Sequence, residues 1–132
     1  MSEELRVKKP DIAERSFRYA LRIIKLYREL QKDGTGRVLG KQLLRAGTSI
    51  GANVHEAQAG QSRADFIAKM SIAHKEARET IYWLRLIRES ALVPSARMAD
   101  LCNETDQLIR ILSAILLSTK SSTRRRSETL NS

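Results

Sequence analysis

The chain has 132 residues and a mass of 15.0 kDa, enough for one domain with an ordinary core and too little for two. Its apolar fraction of 42% and charged fraction of 30% exclude a disordered chain, and a single cysteine, Cys102, excludes a disulfide scaffold. The 24 basic and 15 acidic side chains leave a net charge of +9, which calls for an acidic partner or a highly solvated surface.

That charge is uneven: +6 in residues 1–53, zero in 54–117 and +3 in 118–132. A basic half beside a neutral half is the footprint of nucleic acid or another polyanion. Met1 to Lys9 hold no apolar run of the signal-peptide kind. The longest strongly apolar stretch, Ile111 to Leu117, is far short of the roughly 20 residues that cross a bilayer. The expectation is a soluble, cytoplasmic protein. Few aromatics, 2 prolines and 6 glycines favour an all-α chain.

Four helices are predicted. The first runs from about Ile12 to Gln31, opened by Asp11 with Glu14 in capping-box spacing. Its apolar stripe is Ala13, Phe17, Ala20, Ile24 and Tyr27, widened by Ile23, Leu26 and Leu30 to about half the circumference. Arg15, Arg18, Arg22 and Lys25 recur at three-, four- and three-residue steps on the opposite arc, with Glu29 among them. Asp33-Gly34-Thr35-Gly36 is expected to end this helix through glycine's left-handed conformation. The second helix, Val38 to Ala59, carries Leu39, Leu43, Ala46, Ile50, Val54 and Ala57 inward. Its middle, with Gly47 and Gly51, is poor helix material, which close approach of another helix would offset.

The third helix starts after Ser62 and runs to about Ser90, with Phe66, Met70, Ala73, Ala77, Ile81, Leu84 and Arg88 along one side. The fourth opens at Pro94-Ser95 and turns Met98, Leu101, Thr105, Leu108, Leu112 and Ile115 inward. Short connections make the expected architecture an antiparallel, up-down-up-down four-helix bundle. Its domains are an N-terminal segment over 1–11, the bundle over 12–118 and a basic, mobile tail over 119–132. Apolar arcs too wide for one core predict a homo-oligomer.

Catalytic and metal chemistry find no support. His55 begins like a zinc-protease helix, but Ala59 stands where the second ligand is required. Neither His55 nor His74 has a glutamate three residues before it, as a di-iron bundle demands. Cys102 has no base assigned to it. No enzyme activity, metal, cofactor or small-molecule substrate is inferred. Asn53, Glu56, Glu76 and Glu79 sit on or beside inner faces, and buried polar groups need partners. They form a predicted polar lock on helix order.

Leu44-Arg-Ala-Gly-Thr-Ser-Ile50-Gly-Ala-Asn53-Val-His-Glu56, with Asp65-Phe66-Ile67 and Lys75 to Leu84, resembles the bacterial four-helix-bundle family of ribosomal-RNA intervening-sequence proteins. Ser49, Ile50, Asn53 and Glu56 occupy the signature places, and the likeness extends over roughly 12–117. Many members have Pro at the place of Gly51, Ala at His55 and Gly at Ala57. The family is similar in fold to accessory subunits of diversity-generating reverse transcriptases. The resemblance implies a ring, often a pentamer, associated with ribosomal-RNA insertions.

The sequence therefore points to a non-enzymatic, oligomeric bundle that binds RNA or a nucleoprotein through a basic surface. Arg15, Arg18, Arg22 and Lys25 are the candidate phosphate contacts, with Arg124, Arg125 and Arg126 of the tail adding reach. A solvated face is the plainer reading of the same stripe. The rival function is a protein-interaction scaffold or accessory subunit, such as that of a reverse transcriptase.

Overall fold

The structure, a computed structural model, describes residues 11–130. It contains four helices and, among the described residues, no strand: α1 (Ile12–Leu30), α2 (Gly34–Ala59), α3 (Arg63–Glu89) and α4 (Ser95–Leu130). Each packs on its neighbour in sequence and α4 returns to α1, while the diagonal pairs do not approach. The contacts run antiparallel: Gly51 faces Ser16, Gly47 faces Ile23 and Gly40 faces Leu30, while Arg45 reaches Glu76 and Glu56 reaches Lys69. This is the expected four-helix bundle.

The helix starts are local chemistry. Asp11 accepts from the Glu14 amide at 2.8 Å, Asp33 from the Gly36 amide at 2.9 Å and Ser62 from the Asp65 amide at 3.0 Å. Each supplies an acceptor that the first helical turn lacks. Asp33 is thus the N-cap of α2, which begins four residues before the predicted start.

The glycine expectation needs correction. No described glycine has positive φ, and Gly34 and Gly36 lie inside α2. Gly36 serves close approach: a Cβ there would stand 2.4 Å from the Leu30 carbonyl oxygen. At Gly47 the expected close approach is present, since its Cβ would lie 2.8 Å from Ile23 Cγ1. The left-handed residue is Ala91, with φ of 57°. Its amide bonds Arg88 O and the Leu92 amide bonds Ile87 O, the paired bonds that close a helix end where glycine is usual.

The α1 phase also differs. Its buried face is Ala13, Ser16, Tyr19, Ile23, Leu26 and Leu30, whereas Phe17 and Leu21 are each 53% exposed. The apolar arc is wider than the core can cover, and the core takes the edge carrying Tyr19. The Tyr19 hydroxyl has an acceptor there. Thr105 spends its proton on Leu101 O at 2.8 Å, so Tyr19 donates to Thr105 Oγ1 at 2.5 Å. Burial raises the tyrosine pKa. On α3, Thr80 and Ile87 are buried and Phe66, Ile81 and Arg88 are half-buried. On α4, Cys102 and Leu116 join the core and Ile115 is half-buried. The helix continues past Ser118 to Leu130, largely exposed.

Two substitutions check the turn geometry by thermal or urea unfolding. Gly36→Ala lowers stability by about 1–3 kcal/mol, because a backbone oxygen cannot yield to the new methyl. Ala91→Gly raises it by roughly 0.5–1 kcal/mol, relieving the left-handed strain less glycine's entropy. An unchanged midpoint in either case contradicts the corresponding contact.

Candidate nucleic-acid interface

The predicted basic stripe of α1 lies along its seam with α4. Arg15 donates from Nε and Nη2 to the two oxygens of Glu104, each at 2.8 Å, and also to Gln107. Arg22 Nη2 meets Asp100 at 2.7 Å. Arg97 Nη2 meets Glu29 at 2.6 Å, reversing the polarity at the third rung. Arg18 pairs with Glu14 in its own helix at 2.9 Å, and Lys25 makes no ion pair among the described residues. The Arg15–Glu104 side chains are 24% and 20% exposed. That bidentate, half-buried pair contributes roughly 1.5–3 kcal/mol per charge-assisted bond, while the exposed Arg18–Glu14 and Arg22–Asp100 pairs contribute about 0–1.

Glu76 and Glu79 are brought together on Arg45, at 3.3 Å for Glu76. Trp83 Nε1 donates to Glu79 Oε2 at 2.9 Å. That bond, followed by Arg45, holds the Glu79 carboxyl below its ordinary 4.5. Asn53 bonds within α2, its Nδ2 donating to Ser49 O at 2.9 Å and Ser49 Oγ at 3.0 Å. Glu56 is exposed and stands 3.5 Å from Lys69. The four polar residues therefore occupy three separate sites. Arg45 was missed, although the antiparallel register that sets Glu56 opposite Lys69 also brings residue 45 level with Glu79.

A different set of cations is uncommitted. His74, Arg78 and Arg85 recur on one side of α3, and α4 brings Lys120 beside His74. Arg78, Arg85 and Lys120 make no ion pair or hydrogen bond among the described residues. Burial first, then Arg78 and Lys120, lower the His74 pKa from 6.5. Farther along α4, Arg124 pairs with Glu128 at 3.4 Å, while Arg125 and Arg126 are exposed. Sequence periodicity contained the α3 half of this cluster, but only packing supplied Lys120.

Cys102 is buried, which raises its thiol pKa, and the His55 ring bonds Gly51 O at 2.8 Å. Among the described residues no group of three acidic, histidine or cysteine side chains is placed to hold a metal. No described helix is long and apolar enough to cross a membrane.

The one tryptophan makes the α2–α3 joint observable. Because Glu79 titrates low in the folded state, its contribution to stability is present above about pH 4.5 and is lost as pH falls through the lowered folded value. An acid titration of Trp83 fluorescence should show a step below pH 4.5 in the wild type that is absent in Glu79→Gln. Superimposable curves would show that the carboxylate does not bond the indole.

No curated protein matches the chain. The profile of the family described as 23S rRNA-intervening sequence protein matches residues 8–114. A solved structure from Bacteroides thetaiotaomicron VPI-5482, described as a protein with unknown function from the S23 ribosomal protein family, is 40% identical with a TM-score of 0.77. The match covers 80% of this chain and 98% of that one. With most of its length matched to the profile and its bundle matched to that neighbour, the chain belongs to the 23S rRNA-intervening sequence protein family.

Proposed function

We propose that this chain is a non-enzymatic, homo-oligomeric bundle that binds RNA, alone or in a nucleoprotein, through uncompensated cations on α3 and α4. The observation that carries this reading is that Arg78 and Arg85 of α3 and Lys120 of α4 are exposed and make no ion pair or hydrogen bond among the described residues, with Arg78 and Lys120 near enough to His74 to add to the burial that lowers its pKa. Like charges held together without a counter-charge cost energy that a phosphate backbone relieves. Arg85 continues the line on α3, and the exposed Arg125 and Arg126 add positive charge farther along α4, where Arg124 is paired with Glu128. Of the α1 stripe, Lys25 makes no ion pair among the described residues but its charge acts on Glu29, Arg18 and Arg22 have only exposed partners, and Arg15 is held by α4.

The family description, which names 23S rRNA, supports an RNA partner over other polyanions. Assembly is supported by large apolar side chains left in solvent, among them Phe17, Leu21, Val38, Tyr82 and Leu117. A closed ring would cover such faces and repeat the basic line, so that weak contacts add as avidity. Light scattering should give a mass several times 15.0 kDa; a monomer at tens of micromolar would remove the ring.

The binding test is a titration of single-stranded RNA at several salt concentrations. The wild type should show a log-log slope of about −0.7 per neutralised charge, and Arg78→Glu/Lys120→Glu a shallower one. Phosphate beside His74 raises its lowered pKa, so affinity should increase as pH falls from 8 to 6, and His74→Gln should flatten that dependence. Equal affinity and slope for wild type and double variant would remove this face from the function.

A further inference from the structure

The seam between α1 and α4 is not closed by side chains along its whole length. At the C-terminal half of α1 it opens into a cavity of about 240 Å³. Its floor is apolar, formed by Leu26, Val93, Met98 and Leu101, all buried. Its walls carry Arg22 and Lys25 from α1, Arg97 from α4, and a single acid, Glu29. The volume is below the roughly 300–1,000 Å³ typical of drug-sized ligands, so the cavity suits one flat ring system.

The polar groups are unbalanced in a specific way. Glu29 Oε1 accepts from Arg97, but Glu29 Oε2 is buried with no donor among the described residues. Lys25 supplies three N–H donors and makes no hydrogen bond or ion pair among the described residues, though its charge acts on Glu29, and Arg22 uses only Nη2, on Asp100. The cavity thus demands donors at one wall and acceptors at the other, over a surface that favours a planar apolar face. Arg97, and the charges of Lys25 and Lys32, hold the Glu29 carboxyl below its ordinary value, so it stands ionised with Oε2 open to a donor from a ligand.

We propose that this cavity takes one guanine base of a single-stranded RNA, read by Glu29. Guanine presents N1–H and N2–H2 side by side on one edge, matching a carboxylate. Its O6 and N7 are acceptors, the usual partners of arginine and lysine. Adenine and cytosine each offer one amino group there, and uracil one ring N–H. The base enters over Leu26, Glu29 Oε2 and the second lone pair of Oε1 accept from N1–H and N2–H2, and Lys25 with the Arg22 nitrogens that Asp100 leaves unused meet O6, N7 or the adjoining phosphate. Extruded single-stranded bases are the common targets of sequence-specific RNA recognition. The inference rests on the RNA-binding reading but uses a different surface: α3 and the C-terminal half of α4 supply affinity, and this cavity supplies base choice.

The test compares two oligoribonucleotides of equal length, oligo(A) and the same oligomer with one central G, by fluorescence anisotropy, with GMP as a third ligand. The wild type should prefer the G-containing oligomer by roughly tenfold, the lower part of what a paired base contact provides. Glu29→Gln, whose amide keeps an acceptor for Arg97, should erase that preference while leaving oligo(A) affinity unchanged. Lys25→Ala, at an exposed residue without an ion-pair partner, should reduce the preference even if Glu29→Gln fails to fold. Equal affinity for both oligomers in the wild type, with salt-dependent binding intact, overturns the guanine site and leaves the RNA reading standing. Loss of binding to every RNA overturns both. GMP binding without RNA binding also overturns the proposal, assigning the cavity to a free nucleotide.

Discussion

The close seating of α1 on α2 is the constraint from which the rest of the bundle follows. Gly36, Gly40, Gly47 and Gly51 are buried and aligned toward α1, and at Gly36 and Gly47 even a methyl group would overlap Leu30 or Ile23. Each interior glycine weakens the helix by about 1 kcal/mol, so the benefit must come from packing two backbones closely. With α1 drawn to α2, its opposite edge is held away from α4. Long arginine and glutamate side chains span that gap, and where they do not fill it the cavity remains.

This geometry decides what the charges do. Arg15 and Arg22 look like half of a phosphate-binding stripe when α1 is considered alone, but their carboxylate partners on α4 are 89 and 78 residues away along the chain. A bidentate, half-buried pair such as Arg15–Glu104 gives up its bonds to a competing phosphate only at a cost comparable to what that phosphate returns. An arginine facing other cations has no such cost. The functional weight of a basic residue is therefore set by its neighbours across the helix interface, and the family's link to ribosomal RNA does not distinguish one basic face from another.

The polar residues repeat the lesson at smaller scale. Asn53, Glu56, Glu76 and Glu79 shared a reason for attention, since each lies on or beside an inner face. Glu76 and Glu79, three residues apart on α3, converge on one guanidinium. Asn53 turns back to Ser49 in its own helix, and Glu56 reaches the surface and Lys69. Helical periodicity is good to a face but not to a bond, because a rotation of one side chain about χ1 moves its polar end by several ångströms.

The sequence by itself determined the helical class, the number of helices, the caps at Asp11 and Ser62 and the family signature through Ser49, Ile50, Asn53 and Glu56. These depend on contacts within a few residues or on a repeat of 3.6, and both are written locally. The tertiary structure alone decided which edge of the broad α1 arc is core, that Gly36 serves close approach and not a turn, which arginines are neutralised, and that Lys120 stands beside His74. Those outcomes depend on distances between segments remote in sequence, where a side chain's partner is chosen by the packing of the whole bundle.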